Sequence, residues 1–132
     1  MNELLHAHGL KITPLRLAVL KKVKSTHSPL SASEIAASLK DLEFDRATLF
    51  RCLKQFVEAG LLHTVDLGEG HLRYEAHCET HHHHHHIICN SCKAIEVVPV
   101  CIPDSVIQGL KKKGYKNITH RIDFTGLCKK CA

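Results

Sequence analysis

The spacing of apolar and polar positions predicts three short helices in the first half of the chain. Thr13-Pro14 is typical of a helix start, with threonine as the N-cap and proline in the first turn, and apolar residues then recur at helical spacing. A second helix begins at the capping-box sequence Ser31-Ala-Ser-Glu34. Asp45 can cap a third helix, predicted over 46–59.

The third helix has an apolar stripe and an opposite polar face, and a β-hairpin is predicted directly after it. The stripe contains Leu49, Leu53 and Phe56, whereas Thr48, Arg51 and Lys54 lie on the other side. Strands are predicted over 61–66 and 71–75, joined by a glycine-containing turn. Three helices followed by a hairpin indicate a winged helix-turn-helix, whose third helix enters the major groove. Taken alone, the polar face is more simply that of a solvated amphipathic helix, and the hairpin changes this interpretation.

The second half predicts a small β-β-α-β unit. Its strands are expected over 87–90, 94–98 and 118–124, with a helix over 103–114. This segment of about 50 residues offers little apolar surface, so both a metal ion and a dimer interface are expected to stabilise it. The predicted fold class is therefore α+β, with a winged helix-turn-helix followed by a small α/β domain.

Composition and charge narrow the class of partner. The 132 residues carry a formal net charge of +5, with nine Lys/Arg against six Asp/Glu in residues 1–62 and nine against seven in residues 63–132. If four cysteines of the second part bind zinc as thiolates, the basic excess lies in the first part, which points to nucleic acid. No apolar run reaches membrane-spanning length and no signal pattern opens the chain, so a cytoplasmic protein without membrane association is expected.

Two C-x₂-C pairs predict a structural zinc site. Together they supply the four sulfurs of a tetrahedral set, Cys89, Cys92, Cys128 and Cys131. The 35 residues between the pairs are no obstacle. Doubling a loop costs only about 0.6 kcal/mol, whereas structural zinc binds with an apparent free energy of roughly 10–16 kcal/mol. The alternative interpretation is a pair of redox dithiols, but neither pair has a thioredoxin-like context.

Six consecutive histidines at 81–86 resemble a purification tag. They lie inside the chain, however, and lead directly into the apolar pair Ile87-Ile88, which favours a native strand. Side chains alternate along a strand, so one face would carry residues 82, 84 and 86 and the other 81, 83 and 85. Each face could present imidazoles to a separate ion, or only one face binds metal and the other is solvated.

These motifs together resemble the ferric uptake regulator family of bacterial metal-dependent repressors. The matching segments cover nearly the whole chain: Gly9–Arg16, Leu30–Ile35, Arg46–Arg51, Glu58–Leu61, the histidine-rich strand running into Cys89-x-x-Cys92, and His120 before Gly126–Cys131. The resemblance implies a homodimer that binds operator DNA when a divalent ion fills a regulatory site. No sequence element supplies a general base beside an open three-ligand zinc site, so no enzymatic activity is expected. The resemblance also implies a DNA-binding domain over 1–77, a hinge over 78–83 and a metal-binding dimerisation domain over 84–132.

The ligand residues resemble the zinc uptake regulator subgroup. That match implies a regulatory site of His63, Cys78, His84 and His86, and a third metal site of His83, His85, Asp104 and His120. Thiolate and imidazole suit Zn²⁺ better than Fe²⁺ or Mn²⁺, which prefer carboxylates. Glu75, at a position where iron and peroxide sensors have a carboxylate ligand, keeps open the alternative of an iron, manganese or peroxide sensor, and His27 could then replace His63. A metal-buffering protein without DNA binding is the alternative from another class.

The resemblance also implies the DNA contacts. Lys11 and Arg16 are candidates for the backbone or minor groove, and the groove-facing candidates are Arg46, Thr48, Phe50, Arg51 and Lys54. Phe50 stands where many members of the family have tyrosine. One residue is missing before Ile95-Glu96 relative to the family pattern, which shifts the match at Asp104. Cys52 is expected to be a small buried residue, and no role is assigned to Cys101.

Overall fold

The computed structural model describes residues 1–26, 28–76, 85–120 and 122–132. They form two compact units, Met1–His82 and His83–Ala132. The predicted hinge over 78–83 lies outside the described residues. No helix in the described part of the chain is long and apolar enough to cross a membrane.

The described residues of the first unit form four helices: α1 (Asn2–Ala7), α2 (Pro14–Ser25), α3 (Ala32–Ser38) and α4 (Arg46–Glu58). The three predicted caps are confirmed. The Thr13 side chain accepts from the Arg16 N–H at 3.2 Å, and Ser31 and Glu34 form a reciprocal capping box. Asp45 accepts from the Thr48 N–H at 2.7 Å. Helix α1 was not predicted from the sequence.

The end of α4 is set by Gly60. Its φ of +77° is in the left-handed region, which a residue without Cβ adopts at little cost. The Gly60 N–H donates to the Val57 carbonyl at 3.0 Å and the Leu61 N–H donates to the Phe56 carbonyl at 2.9 Å. These two bonds are the Schellman arrangement that satisfies the last carbonyls of a helix. The chain therefore turns sharply from the third predicted helix into the hairpin.

The hairpin is confirmed as the wing of a winged helix-turn-helix. Strands β2 (Leu62–Asp66) and β3 (Leu72–Ala76) pair antiparallel, with His63 opposite Glu75. The sequence did not predict β1 (Leu30–Ser31), which pairs with the other edge of β3 and gives the sheet order β1-β3-β2. The segment that leads into α3 and the wing are thus joined through one small sheet.

An ion-pair network centred on the largely buried Arg73 holds the wing against α3. Arg73 on β3 lies 2.8 Å from a Glu69 oxygen and 3.0 Å from a Glu34 oxygen, with 11% of its side chain exposed. The pKa of Arg73 is raised, and its hydrogen bond to Glu69 contributes most to this increase. Because Glu34 also closes the capping box of α3, the same carboxylate fixes the start of that helix and the position of β3.

The apolar core lies in the first unit. In it, the buried stripe of α4 packs against α1, α2, α3 and the start of the wing. The buried residues of the core are Leu5, Val19, Leu20, Val23, Ala32, Ile35, Leu49, Cys52, Leu53, Phe56, Leu61 and Leu62. The predicted apolar stripe is confirmed, and Cys52 is buried as expected. Burial raises the pKa of the Cys52 thiol to about 11, so this thiol stays protonated and unreactive at neutral pH.

The second unit is the predicted β-β-α-β segment, built from β4 (His85–Cys89), β5 (Ile95–Val98), α5 (Asp104–Lys112) and β6 (Asp123–Gly126). The sheet order is β5-β4-β6, with β5 antiparallel and β6 parallel to the central β4. The last strand begins at Asp123, so the predicted start at Ile118 was wrong. The pairing of β6 with β4 runs from the His86–Asp123 pair to the Cys89–Gly126 pair. The alternation of apolar and polar residues in the sequence could not reveal where this pairing begins.

Few side chains are buried in the second unit. Among its described residues only His85, His86 and Cys89 are buried. Several large apolar side chains are instead exposed: Ile87, Val100, Val106, Tyr115, Phe124 and Leu127. A unit of this size without an apolar core needs other sources of stability, as the sequence predicted.

Candidate metal centres and nucleic-acid interface

Strand pairing brings the four cysteines of the two C-x₂-C pairs together at one end of β4. Cys89 ends β4 and Cys92 lies in the turn to β5, while Cys128 and Cys131 follow β6, whose Gly126 pairs with Cys89. The four sulfurs all lie within 4.8 Å of one another. The Sγ atoms of Cys92 and Cys128 are 3.7 Å apart. A tetrahedral site with Zn–S bonds of about 2.3 Å has edges of about 3.8 Å, so the set fits one zinc ion.

Backbone groups prepare Cys89 to bind metal. Its sulfur accepts the Cys128 N–H at 3.4 Å and the Cys92 N–H at 3.5 Å. These two hydrogen bonds are the largest causes that lower the pKa of the Cys89 thiol to about 6. The thiolate is the form that ligates metal, so the peptide groups of both turns stabilise the ligand before an ion arrives. The four thiols are not joined in disulfides.

A second cluster lies at the opposite end of the same strand. His85, Cys101 and His120 place their ligand atoms within 4.8 Å of one another. The Cys101 sulfur is 3.2 Å from His85 Nε2 and 3.1 Å from His120 Nε2. Burial is the main cause that lowers the pKa of His85, with a further contribution from the nearby His120. A lowered pKa favours the neutral imidazole, which is the metal-binding form.

The second cluster overlaps the predicted third site only in part. His85 and His120 are brought together as expected, whereas His83 lies outside the described residues. Asp104 is the exposed first residue of α5 and is not grouped with the two histidines. Cys101 lies between them and was missed. No local motif in the sequence marks it, because two loops distant along the chain bring it between the histidines.

The predicted regulatory set is described only in part. His63 lies on β2 with its Nε2 3.4 Å from the buried carboxylate of Glu75, its partner across the wing. His86 is a buried residue of β4 in the second unit. Cys78 and His84 lie outside the described residues, as does the alternative ligand His27. Within the first unit, then, the described candidate ligands are an imidazole and a carboxylate in contact.

A basic cleft lies between the start of α2 and the exposed face of α4. It has a volume of about 250 Å³ and contains no acidic side chain among its lining residues, which are Lys11, Thr13, Leu15, Arg16, Thr48, Arg51, Cys52 and Gln55. Four of the predicted DNA contacts are therefore brought to one surface. Arg16 donates to the Lys11 carbonyl and to the Gln55 side chain, which ties the segment before α2 to α4.

Hydrogen bonds along the first turns of α4 orient Arg51. The Thr48 hydroxyl donates to Asp45 at 2.6 Å and accepts from the Arg51 guanidinium at 3.2 Å. The side-chain bond from Thr48 is the largest cause that lowers the pKa of Asp45, so this carboxylate stays charged at the helix N-terminus. The arrangement holds the Arg51 guanidinium on the exposed face of the helix.

The remaining predicted DNA contacts lie around the cleft. Arg46 donates to the Ser33 hydroxyl at 2.7 Å, which links α4 to α3. Lys54 and Glu58 form an exposed pair with a 4.0 Å separation, which contributes little. Phe50 exposes 46% of its surface, unusual for an aromatic residue on a helix with a full apolar stripe. These three residues remain predicted contacts.

Comparison with known proteins agrees with this arrangement. The sequence profile of the ferric uptake regulator family matches residues 7–125. The transcriptional regulator PerR of Clostridium acetobutylicum is 33% identical over 125 residues, which are 92% of this chain and 88% of that protein. The peroxide-responsive repressor PerR of Staphylococcus epidermidis is 32% identical over 126 residues, covering 93% of this chain and 82% of that protein.

Solved structures show the same fold. The ferric uptake regulator of Vibrio cholerae is 30% identical, covers 96% of this chain and 98% of its own, and superposes with a TM-score of 0.72. The family match, the winged helix-turn-helix and the cysteine and histidine clusters all agree. The chain belongs to the ferric uptake regulator family of metal-responsive transcriptional regulators.

Proposed function

We propose that this protein is a zinc-responsive repressor that binds operator DNA as a homodimer. The observation that carries the choice of zinc is the ligand chemistry. Both metal-ligand clusters formed by the described residues contain cysteine, one with four sulfurs and one with a sulfur between two imidazoles. Thiolates select Zn²⁺ over Fe²⁺ and Mn²⁺, which prefer oxygen ligands. Cys89, Cys92, Cys128 and Cys131 would hold a structural ion that stabilises the second unit.

The DNA-binding role is supported by the basic cleft on the winged helix. Lys11, Arg16 and Arg51 bring three cationic side chains to one surface of the first unit. Cations at this density, without neighbouring carboxylates in the cleft, are suited to the phosphate backbone. The proposed domain boundaries remain 1–77 for DNA binding, 78–83 for the hinge and 84–132 for the metal-binding and dimerisation domain.

The homodimer is supported by the exposed apolar residues of the second unit. Phe124 and Ile87 occupy adjacent positions on paired strands, and each exposes more than a third of its surface. Apolar residues exposed on a unit without a core of its own are typical of a surface that a second chain covers. A dimer would place two copies of α4 against successive major grooves of the operator.

Regulation is proposed to act through His63, Cys78, His84 and His86, which belong to both units of the chain. An ion held by these residues would favour one arrangement of the two units over others. Because the ion and the operator would favour the same arrangement, DNA must tighten metal binding by the same factor by which metal tightens DNA binding.

The test is a metal titration of DNA affinity. The protein would first select a duplex from a random-sequence library in the presence of Zn²⁺. Affinity for that duplex would then be measured at buffered free Zn²⁺, Fe²⁺ and Mn²⁺. Zinc is expected to activate at the lowest free concentration, and activation by Fe²⁺ or Mn²⁺ at much lower concentration would refute the zinc assignment. Absence of any salt-dependent DNA binding would instead indicate metal buffering without a DNA function.

Replacement of Cys78 by serine is expected to separate sensing from folding. The variant should keep the structural zinc and the dimer, because Cys78 is not one of the four clustered cysteines. Loss of the soft ligand should raise the free zinc needed for DNA binding by about tenfold or more. Zinc-buffered fluorescence anisotropy measures this shift. A Cys78→Ser protein that responds at the zinc concentration of the wild type would remove Cys78 from the regulatory site.

Replacement of Arg51 by alanine is expected to weaken DNA binding by about 1–3 kcal/mol, or roughly 5- to 150-fold, if its guanidinium contacts a base. A contact to phosphate would instead reduce the dependence of log affinity on log salt by about one. Lys24→Ala is the matched control, since Lys24 lies eight residues beyond Arg16 on α2, about 12 Å along the axis. Equal losses in both variants would argue against a specific role for the cleft.

A peroxide- or iron-responsive regulator is the second candidate, favoured by two observations. The relatives from Clostridium acetobutylicum and Staphylococcus epidermidis carry the name PerR, and His63 contacts the carboxylate of Glu75. A peroxide sensor loaded with Fe²⁺ would add oxygen to a ligand histidine after exposure to hydrogen peroxide. Peptide mass spectrometry detects that product, and its formation together with release of the DNA would support this candidate over zinc sensing.

A further inference from the structure

The topology of the second unit brings three potential ligands to the start of β4. His85 opens this strand and pairs with Val98, near the end of β5. Cys101 follows Val98 by three residues, in the loop that leads to α5. His120 precedes Asp123, the first residue of β6, by three residues. The loops on both sides of the central strand therefore return to the same end, opposite to the four cysteines.

The distances within this cluster are close to those of a metal site. Zn–N bonds of about 2.0 Å and Zn–S bonds of about 2.3 Å give tetrahedral N–S edges of about 3.5 Å. The two observed distances from the Cys101 sulfur to imidazole nitrogens are 3.2 and 3.1 Å. An opening of a few tenths of an ångström on each side would therefore admit an ion. The ring centroids of the two histidines are 5.3 Å apart and tilted by 41°, so both rings converge on the sulfur.

The surroundings of His85 favour ligation over a simple hydrogen-bonded cluster. The ring is 4% exposed, and its Nε2 faces Cys101 while it also forms a hydrogen bond with the backbone of Ile122. A hydrogen bond to the backbone is a usual way in which proteins orient a ligating imidazole. Cys101 itself is exposed, so an ion could reach the sulfur from solvent.

Asp104, unlike Cys101, does not lie between the two histidines. It is the exposed first residue of α5, three residues after Cys101, and is not grouped with the two histidines. We propose that His85, Cys101 and His120 form a metal site in which the Cys101 thiolate, rather than the Asp104 carboxylate, is the anionic ligand, and that this thiolate makes the site select Zn²⁺ over Fe²⁺ and Mn²⁺. The proposal extends beyond DNA regulation, because it concerns metal binding within the second unit alone.

The experiment is a Co²⁺ titration of the full-length protein with its four-cysteine site already loaded with zinc. It uses the Cys78→Ser background, so that a new thiolate-to-cobalt charge-transfer band can report Cys101. Cys52 is buried and its thiol is protonated. One additional equivalent of Co²⁺ is expected to bind and give this band. Elemental analysis of released zinc identifies any exchange at the four-cysteine site.

Two further substitutions in that background discriminate between the ligands. Adding Cys101→Ser should abolish the band and weaken Co²⁺ and Zn²⁺ binding by about tenfold or more, whereas adding Asp104→Asn should change neither. A band that survives Cys101→Ser, or a site lost with Asp104→Asn, would overturn the proposal. So would the absence of any additional bound ion, which would leave a cluster held only by hydrogen bonds.

A third substitution tests selectivity directly. Cys101→Asp should shift the ratio of Zn²⁺ to Mn²⁺ affinity toward Mn²⁺ by about tenfold or more, because oxygen replaces sulfur at the anionic position. An unchanged ratio would refute the selectivity claim. These measurements contain no DNA. If they show no metal site here, operator binding still has to be tested separately. If zinc-dependent operator binding is absent, the metal site can still be present.

Discussion

Cys89→Ser is expected to unfold the second unit and abolish dimerisation. Cys89 is the buried member of the four-sulfur cluster, and its sulfur accepts hydrogen bonds from the N–H groups of both cysteine turns. Replacing it removes one of four ligands and the acceptor for both peptide groups. Structural zinc contributes an apparent free energy of roughly 10–16 kcal/mol, a loss that the few buried residues of this unit cannot offset.

Three measurements check this expectation together. Elemental analysis should show loss of the tightly bound zinc, size-exclusion chromatography with light scattering should show a monomer, and hydrogen exchange should show lost protection over β4, β5 and β6. Cys101→Ser is the matched control, because it makes the same chemical change in the same unit outside the four-sulfur cluster. It should keep the structural zinc and the dimer. A folded, dimeric Cys89→Ser protein would refute the stabilising role assigned to this cluster.

Phe56→Ala is expected to destabilise the first unit by about 3–5 kcal/mol. Phe56 is fully buried on the inner face of α4, within the apolar core of the first unit. Truncation removes its transfer free energy and leaves a cavity that close-packed neighbours cannot fill. Because domains of this size are stable by only about 5–15 kcal/mol, the loss is large enough to populate the unfolded unit at physiological temperature.

The buried thiol of Cys52 reports on this unit. Its exposure during urea unfolding, measured by alkylation and peptide mass spectrometry, should shift to lower urea in Phe56→Ala. The control Phe50→Ala changes the same residue type on the same helix, but Phe50 exposes 46% of its surface. The stability of the Phe50→Ala protein should stay within about 0.5 kcal/mol of the wild type. Any contact of Phe50 with DNA would appear as a loss of affinity for DNA in this variant. Equal destabilisation in both variants would contradict the assignment of the inner and outer faces.

The helices and the wing could be predicted because local chemistry specifies their ends. Thr13, Ser31 and Asp45 make the capping bonds that their sequence context indicates, and Gly60 ends α4 in a left-handed conformation. Helix α1 and strand β1 lack such signals. Strand β1 is only two residues long and exists through its pairing with β3. The start of β6 is set by its ladder with β4, a contact between distant segments that alternation does not encode.

The two metal-ligand clusters differ in how far the sequence could reveal them. The C-x₂-C spacing places two sulfurs on each turn, and only the pairing of the turns had to be assumed. Cys101 has no local motif, because its relation to His85 and His120 arises from two loops that return to one end of a sheet. The expectation for Asp104 relied on a family pattern that a missing residue displaces. The predicted regulatory ligands Cys78 and His84 lie outside the described residues and remain a prediction.

The uneven distribution of the core has a thermodynamic consequence. The first unit has an ordinary apolar interior, so its unfolding would show the large heat-capacity change that exposure of such surface produces. The second unit has almost none, and its folding free energy would follow the free concentration of metal by mass action. One chain would then contain two domains whose stabilities respond to different variables, temperature for one and metal supply for the other. A single melting temperature would describe neither domain.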